Sequence, residues 1–271
     1  MRALHVFRQV YLKPLTDAIA NPTPREEALL NFHYRITALV GSARRLNATP
    51  NFQSISAAAR SVFELGLDLT MVASDETTES VDRVYAFNRV ERFRTAHVVT
   101  HFYEGKPAPT DFDITTHAAV ANDANERAAV VALKQQYWPN ANVKKWPHHW
   151  GHLSDLRARA HAAGGAWEEN YVRHYARLSW FVHGGLVGIV GLPAAMFDVV
   201  AAMAYALVEE VVLESFRTLG NELDWTAAIP HWNQWLDFLG HVSGMTLVDL
   251  RLQALGEQPH LVHIEPNEEN I

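Results

Sequence analysis

A chain of 271 residues buries roughly 70–75% of its unfolded surface, so it needs no covalent or metal staple to fold. It has no cysteine, which excludes a disulfide scaffold, a Cys-based zinc site, an iron–sulfur cluster and a thiol nucleophile. The formal charge of −7 argues against a generic nucleic-acid coat, and 14 Gly and 12 Pro are too few for a fibrous or low-complexity chain.

Taken in chain order, the pattern is helical nearly throughout. Thr23-Pro24-Arg25-Glu26 is a capping box with proline at the first helical position. Leu29, Phe32, Ile36 and Leu39 then recur at helical spacing, which predicts a helix over about 24–46. Asn51 or Ser54 starts the next, with Ile55, Val62, Leu65 and Leu69 on one face. Val81, Val84, Tyr85, Val90 and Phe93 mark a long helix reaching His101. Asp113 or Thr115 opens another that runs to about Tyr137, where Trp138-Pro139-Asn140 stops it. A loop rich in Pro, Trp and His follows over 139–152. Ser154 caps a short helix ending near Gly164-Gly165, and a helix from Trp167 to about Val182 stops at Gly184-Gly185. Pro193 starts an apolar helix through about Leu219, a short helix follows Pro230, and the tail 258–271 is irregular. No hairpin signal and no 20–50-residue repeat occurs. The expectation is an all-α multi-helix bundle, a single domain over 1–271 with its core at about 24–220.

The most apolar region, Leu178 to Val208, is broken by His183 and Asp198 and carries Gly184, Gly185, Gly188, Gly191 and Pro193. A spanning helix needs about 20 apolar residues, so this reads as a buried helix–turn–helix. The N-terminus lacks a signal-peptide pattern, and the expected location is cytoplasmic, with no membrane partner. Charge is uneven: residues 1–60 carry 8 basic and 3 acidic side chains, residues 205–271 carry 2 and 11. Opposite ends of this kind can attract within or between chains.

The stretch from Tyr171 to Gly184 is the most distinctive. Tyr175, Ser179 and His183 share one helix stripe, yet Leu178, Trp180, Phe181 and Val182 around them are apolar. A polar group in such a setting needs a partner or costs about 1–3 kcal/mol. His183 also sits at a helix C-terminus, where the dipole favours a protonated imidazole. Arg60 and Glu64 form a second polar stripe, one turn apart among apolar neighbours. A buried Arg–Glu pair wants further hydrogen bonds, which Tyr175, Ser179 and His183 supply if the two helices pack together.

The pair A-x-R-x3-E and Y-x3-S-x3-H-G, over roughly residues 50–190, resembles a bacterial helical family of unknown function. A wider resemblance is to HEPN domains, helical bundles that are often dimeric and many of which are metal-independent ribonucleases of toxin or phage-defence systems. Their motif is Arg, four to six residues, then His near a helix end, and Arg177 to His183 fits it. The resemblance implies a homodimer acting on RNA as a metal-independent endoribonuclease without a cofactor. His183 would move a proton at the ribose 2′-hydroxyl and Arg177 would hold the scissile phosphate. Tyr175, Ser179, Arg60 and Glu64 would position them. On a straight helix Arg177 and His183 point about 240° apart, so they converge only if the helix unwinds or a second subunit contributes. The alternative is a non-catalytic helical binding or scaffold protein that uses the same cluster structurally.

The loop supplies a second candidate. Lys144, Lys145, Trp146, His149 and Trp150 interleave basic and aromatic side chains, a pattern that holds single-stranded nucleic acid by phosphate contact and base stacking. A Trp-anchored surface loop is the favoured reading of the same residues. His148 and His152 could share a metal if that piece is helical, but no third ligand stands at a suitable spacing, so no native metal is expected. Glu257-Gln-Pro-His260 is the only Glu-x-x-His and contains proline, against a di-iron bundle. No P-loop, Gly-x-Gly-x-x-Gly or Gly-x-Ser-x-Gly occurs.

Overall fold

The computed structural model describes Ile19 and residues 21–46, 51–109, 112–139, 146–153, 155–182 and 194–223, with residues 44 and 194–196 described by backbone alone. Ile19 apart, all of these fall in one compact unit, Asn21–Leu223. The short helix expected after Pro230 and the tail lie outside the described residues.

The described residues form helices and no strand, so the fold is all-α as the sequence predicts. In chain order the elements are α1 (Pro24–Arg45), α2 (Phe52–Ala73), α3 (Glu79–Phe102), α4 (Ile114–Asn122) and α5 (Ala124–Tyr137). After the loop come α6 (Leu156–Ala163), α7 (Gly165–Asn170), a π-helical turn (Tyr171–Tyr175), α8 (Ala176–Val182) and α9 (Ala194–Glu222). Among the described residues no helix is long and apolar enough to cross a membrane.

Local chemistry sets these boundaries. The capping box forms as read: Thr23 N donates to Glu26 Oε2 at 2.7 Å, and Glu26 N donates to Thr23 Oγ1 at 3.3 Å. The single helix expected up to Tyr137 is instead two. Asp123 breaks it with extended backbone (ψ 113°), and its carboxylate accepts from Asn125 N and Glu126 N. A short acidic side chain bonded to its own backbone starts a new helix rather than continuing the old one. The α6 cap is Asp155, which accepts from Ala158 N at 2.8 Å; Ser154, the cap read from the sequence, lies outside the described residues.

Helix α2 is the centre of the unit, packed by α1, α8 and α9. It buries the consecutive residues Leu65, Gly66 and Leu67, which a helix with one solvent face would not do. Val200, Ala204, Leu207, Val211 and Phe216 of α9 form a matching apolar stripe. Fully burying each large side chain contributes about 1.5–3 kcal/mol. Helix α3 carries a separate small core, Val90 and Phe93 against Val130 of α5, flanked by Val120, Trp138 and Trp146.

Arg25 ties three helix ends together. Its Nη2 donates to Ala73 O at 2.6 Å, at the end of α2, and to Glu222 Oε2 at 2.9 Å, at the end of α9. Its Nη1 donates to Asp75 O. Carbonyls at a helix C-terminus lack partners within the helix, and a guanidinium at the start of α1 supplies them here.

Candidate ligand cleft

Ser61, Glu64, Leu65 and Asp68 fall on one stripe of α2, at spacings of three and four residues. That stripe floors a cleft of about 650 Å³. Helix α1 supplies Phe32, Tyr34 and Arg35 to its walls, α3 supplies Tyr85, Phe87 and Asn88, and the loop supplies His149 and Trp150. The volume lies within the usual range for small-molecule sites.

Each floor carboxylate is held from behind by a distant element. Tyr175 donates its hydroxyl proton to Glu64 Oε1 at 2.6 Å and accepts from Arg60 Nη2 at 2.8 Å. Arg60 Nη2 lies 4.0 Å from the same Oε1, and its Cζ sits 4.8 Å from the centre of the tyrosine ring. Phe63 packs on that ring at 5.1 Å between centroids, and Tyr171 stacks on it at 5.4 Å. Burial, then the bond to Glu64, pushes the Tyr175 hydroxyl up to about 12. The hydroxyl therefore stays protonated and donates to the carboxylate at neutral pH.

Asp68 is held by the loop and α6. Gly151 N donates to His149 Nδ1 at 3.0 Å, and the ring's Nε2 lies 3.0 Å from Asp68 Oδ1. Arg159 Nη1 donates to that same oxygen at 2.7 Å and abuts His149 Nε2. Trp138 Nε1 donates to His149 O at 3.2 Å and anchors the loop to the end of α5. The bonds on Glu64 and Asp68 thus fall on Oε1 and Oδ1. Among the described residues no bond occupies Oε2 or Oδ2.

The structure places the residues read from the sequence as follows. Arg60, Glu64 and Tyr175 meet. Ser179 does not join them, because its hydroxyl donates back to Tyr175 O at 3.0 Å within its own helix. The helix expected from Trp167 to Val182 contains a π-turn, in which Ala176 N bonds Tyr171 O. Arg177 is exposed on α8, and His183 lies outside the described residues. In the loop, His149 is half-buried, Trp150 is buried and Trp146 is half-buried beneath Lys134, whose Nζ is 4.6 Å from the ring centre. Lys144 and Lys145 lie outside the described residues.

Residues 146–153 are not helical, so the i, i+4 geometry that could pair His148 with His152 is absent. His148 is exposed, and His152 Nε2 lies 3.9 Å from Glu79 Oε1. No group of three or more metal-ligating side chains occurs among the described residues.

The sequence reading missed Asp68, Arg159, Arg35 and Asn88. A signal existed for Asp68, the one acid in the run Leu65–Val72, one turn after Glu64. Arg35 and Asn88 gave none, since both are ordinary polar residues on helix surfaces.

The model of DUF5677, a family of unknown function, matches residues 26–192. The chain belongs to that family. The matched segment contains every cleft residue named above, and it bears out the sequence resemblance to a helical family of unknown function. No curated protein and no solved structure matches the chain.

Proposed function

We propose that this DUF5677 chain is a helical binding protein whose α1–α3 cleft takes a small polar molecule. The observation that carries this reading is the pair of carboxylates on successive turns of α2. Both face the cleft, and each is fixed through one oxygen by groups from another element. Acceptors fixed in advance cost less to order when a ligand arrives. Thermal shift of the full chain against a panel of small polar compounds tests it. A true ligand raises Tm of the wild type and not of Glu64→Gln, because only binding to the native state stabilises it. Shifts that survive Glu64→Gln and Asn88→Ala alike, or no shift across the panel, overturn the reading.

A second reading rests on the exposure of Arg177 on α8, six residues before His183. It is RNA cleavage of the HEPN type, with Arg177 on the scissile phosphate and His183 exchanging the proton, in a homodimer that brings two such pairs together. Tyr175, Arg60 and Glu64 then act as positioning residues that dock α8 on α2. RNA cleavage in EDTA by wild type, Arg177→Ala and His183→Ala tests it. Loss of cleavage in folded variants supports it, and no cleavage by wild type across diverse RNAs removes it.

A further inference from the structure

The cleft combines three kinds of group. Its floor offers the second oxygens of Glu64 and Asp68, and the Glu64 side chain is 43% exposed. Its walls carry five aromatic rings, Phe32, Tyr34, Tyr85, Phe87 and Trp150. Tyr34 and Tyr85 keep 42% and 38% of their surface exposed, so ring surface stays open at the cleft. Carboxylates beside aromatic surface are the chemistry that holds an organic ammonium, by charge and by the negative faces of the rings.

The third kind is a positive charge. Arg35, exposed, brings it to the same cleft. A bare cation would face that charge. A ligand that also carries an anionic oxygen meets it.

We infer that the cleft is a site for a small zwitterion, an organic ammonium that bears a carboxylate or similar anionic group. The ammonium lies toward Glu64 and Asp68, and the anionic end lies toward Arg35. This assignment rests on the cleft being the binding site. A glycine-sized body would leave much of about 650 Å³ empty, so the two charges are separated by several bonds.

Calorimetric titration of the full chain with four matched probes tests this. L-carnitine has a trimethylammonium and a carboxylate, and γ-aminobutyrate has a primary ammonium and a carboxylate. Choline lacks the anion, and butyrate lacks the cation. At least one zwitterion should bind, with choline tenfold or more weaker and butyrate silent. Which zwitterion binds reports whether the ammonium is alkylated. Glu64→Gln should weaken the zwitterion tenfold or more. Arg35→Ala, at an exposed position that leaves the core intact, should bring the zwitterion down to the affinity of choline. Butyrate binding as tightly as the zwitterions, or silence from all four probes, overturns the assignment. If all four are silent while another compound raises Tm in a Glu64-dependent way, the cleft stands and only the ligand class falls. If no compound does so, both fall.

Discussion

Tyr175 reaches Glu64 across 111 residues of sequence and gives it a proton bond of 2.6 Å at the boundary between the buried core and the cleft. The same hydroxyl accepts from Arg60. One neutral group therefore separates an arginine and a glutamate that sit a turn apart on the same helix. Tyr175→Phe removes both bonds and leaves the ring packing intact. We expect a loss of about 1–3 kcal/mol in urea unfolding, since the lost bonds involve charged partners. Its native pKa, about 12, lies above the unfolded value near 10. The stabilisation is complete below pH 10 and is lost as pH rises toward 12. The wild type should thus lose more stability than Tyr175→Phe between pH 9 and pH 11.

Asp68 and Arg159 make a nearly buried ion pair with His149 on the same oxygen. Removing one partner leaves the other charge buried. Asp68→Ala should cost about 3–5 kcal/mol. The double variant Asp68→Ala, Arg159→Met should recover most of that loss in equilibrium unfolding. A double variant as unstable as the single one would show that the pair is not what Asp68 contributes.

His33 is wholly buried against Phe216, at 4.7 Å between ring centroids. Ser215 donates its hydroxyl to Val212 O, so it accepts from His33 Nδ1, and Nε2 has no partner among the described residues. Burial pushes this imidazole down to about 3. Between pH 6.5 and 3 the unfolded chain binds a proton that the native chain refuses, so stability falls as pH falls. The slope approaches about 1.4 kcal/mol per pH unit. From pH 6.5 to pH 5, the wild type should lose about 1–2 kcal/mol more than His33→Phe. Equal losses would show that His33 is protonated in the native state.

Gly66 admits α9 to the surface of α2. A Cβ placed there would overlap Val211 Cγ1 and come 2.9 Å from Trp167 Cη2. Gly66→Ala should lower stability by about 1–3 kcal/mol, despite the better helix propensity of alanine. Gly66→Ala with Val211→Ala should restore part of it, because the trimmed side chain vacates the space.

The helices were legible because their signals are local. The Thr23–Glu26 box and the 3.6-residue apolar period need only neighbours in sequence. The break at Asp123 was missed because one carboxylate choosing its own backbone leaves the apolar period unchanged. Half of the polar cluster was legible for a similar reason. Arg60 and Glu64 stand out in an apolar run, and so does Tyr175. The cleft was not legible. His149 and Arg159 reach Asp68 over 81 and 91 residues, and nothing in either segment names the other. The loop residues weighed as a nucleic-acid contact or a Trp-anchored loop include His149 and Trp150, which pack inward as a cleft wall.

The π-turn at Tyr171–Tyr175 acts as a phase adjuster. Its hydrogen bonds span five residues rather than four, so it accommodates one residue more than a regular turn holds. Deleting a single residue there would let the segment wind as plain α-helix and leave the faces beyond it where they are. A further inserted residue has no such slack, and everything beyond would rotate by about 100°. With α7 held in place by Trp167 against Phe63, that rotation would carry Arg177 off its present face and turn Phe181 out of the core. The register of α8 is therefore set by a count of residues, and this segment should tolerate the loss of one residue far better than the gain of one.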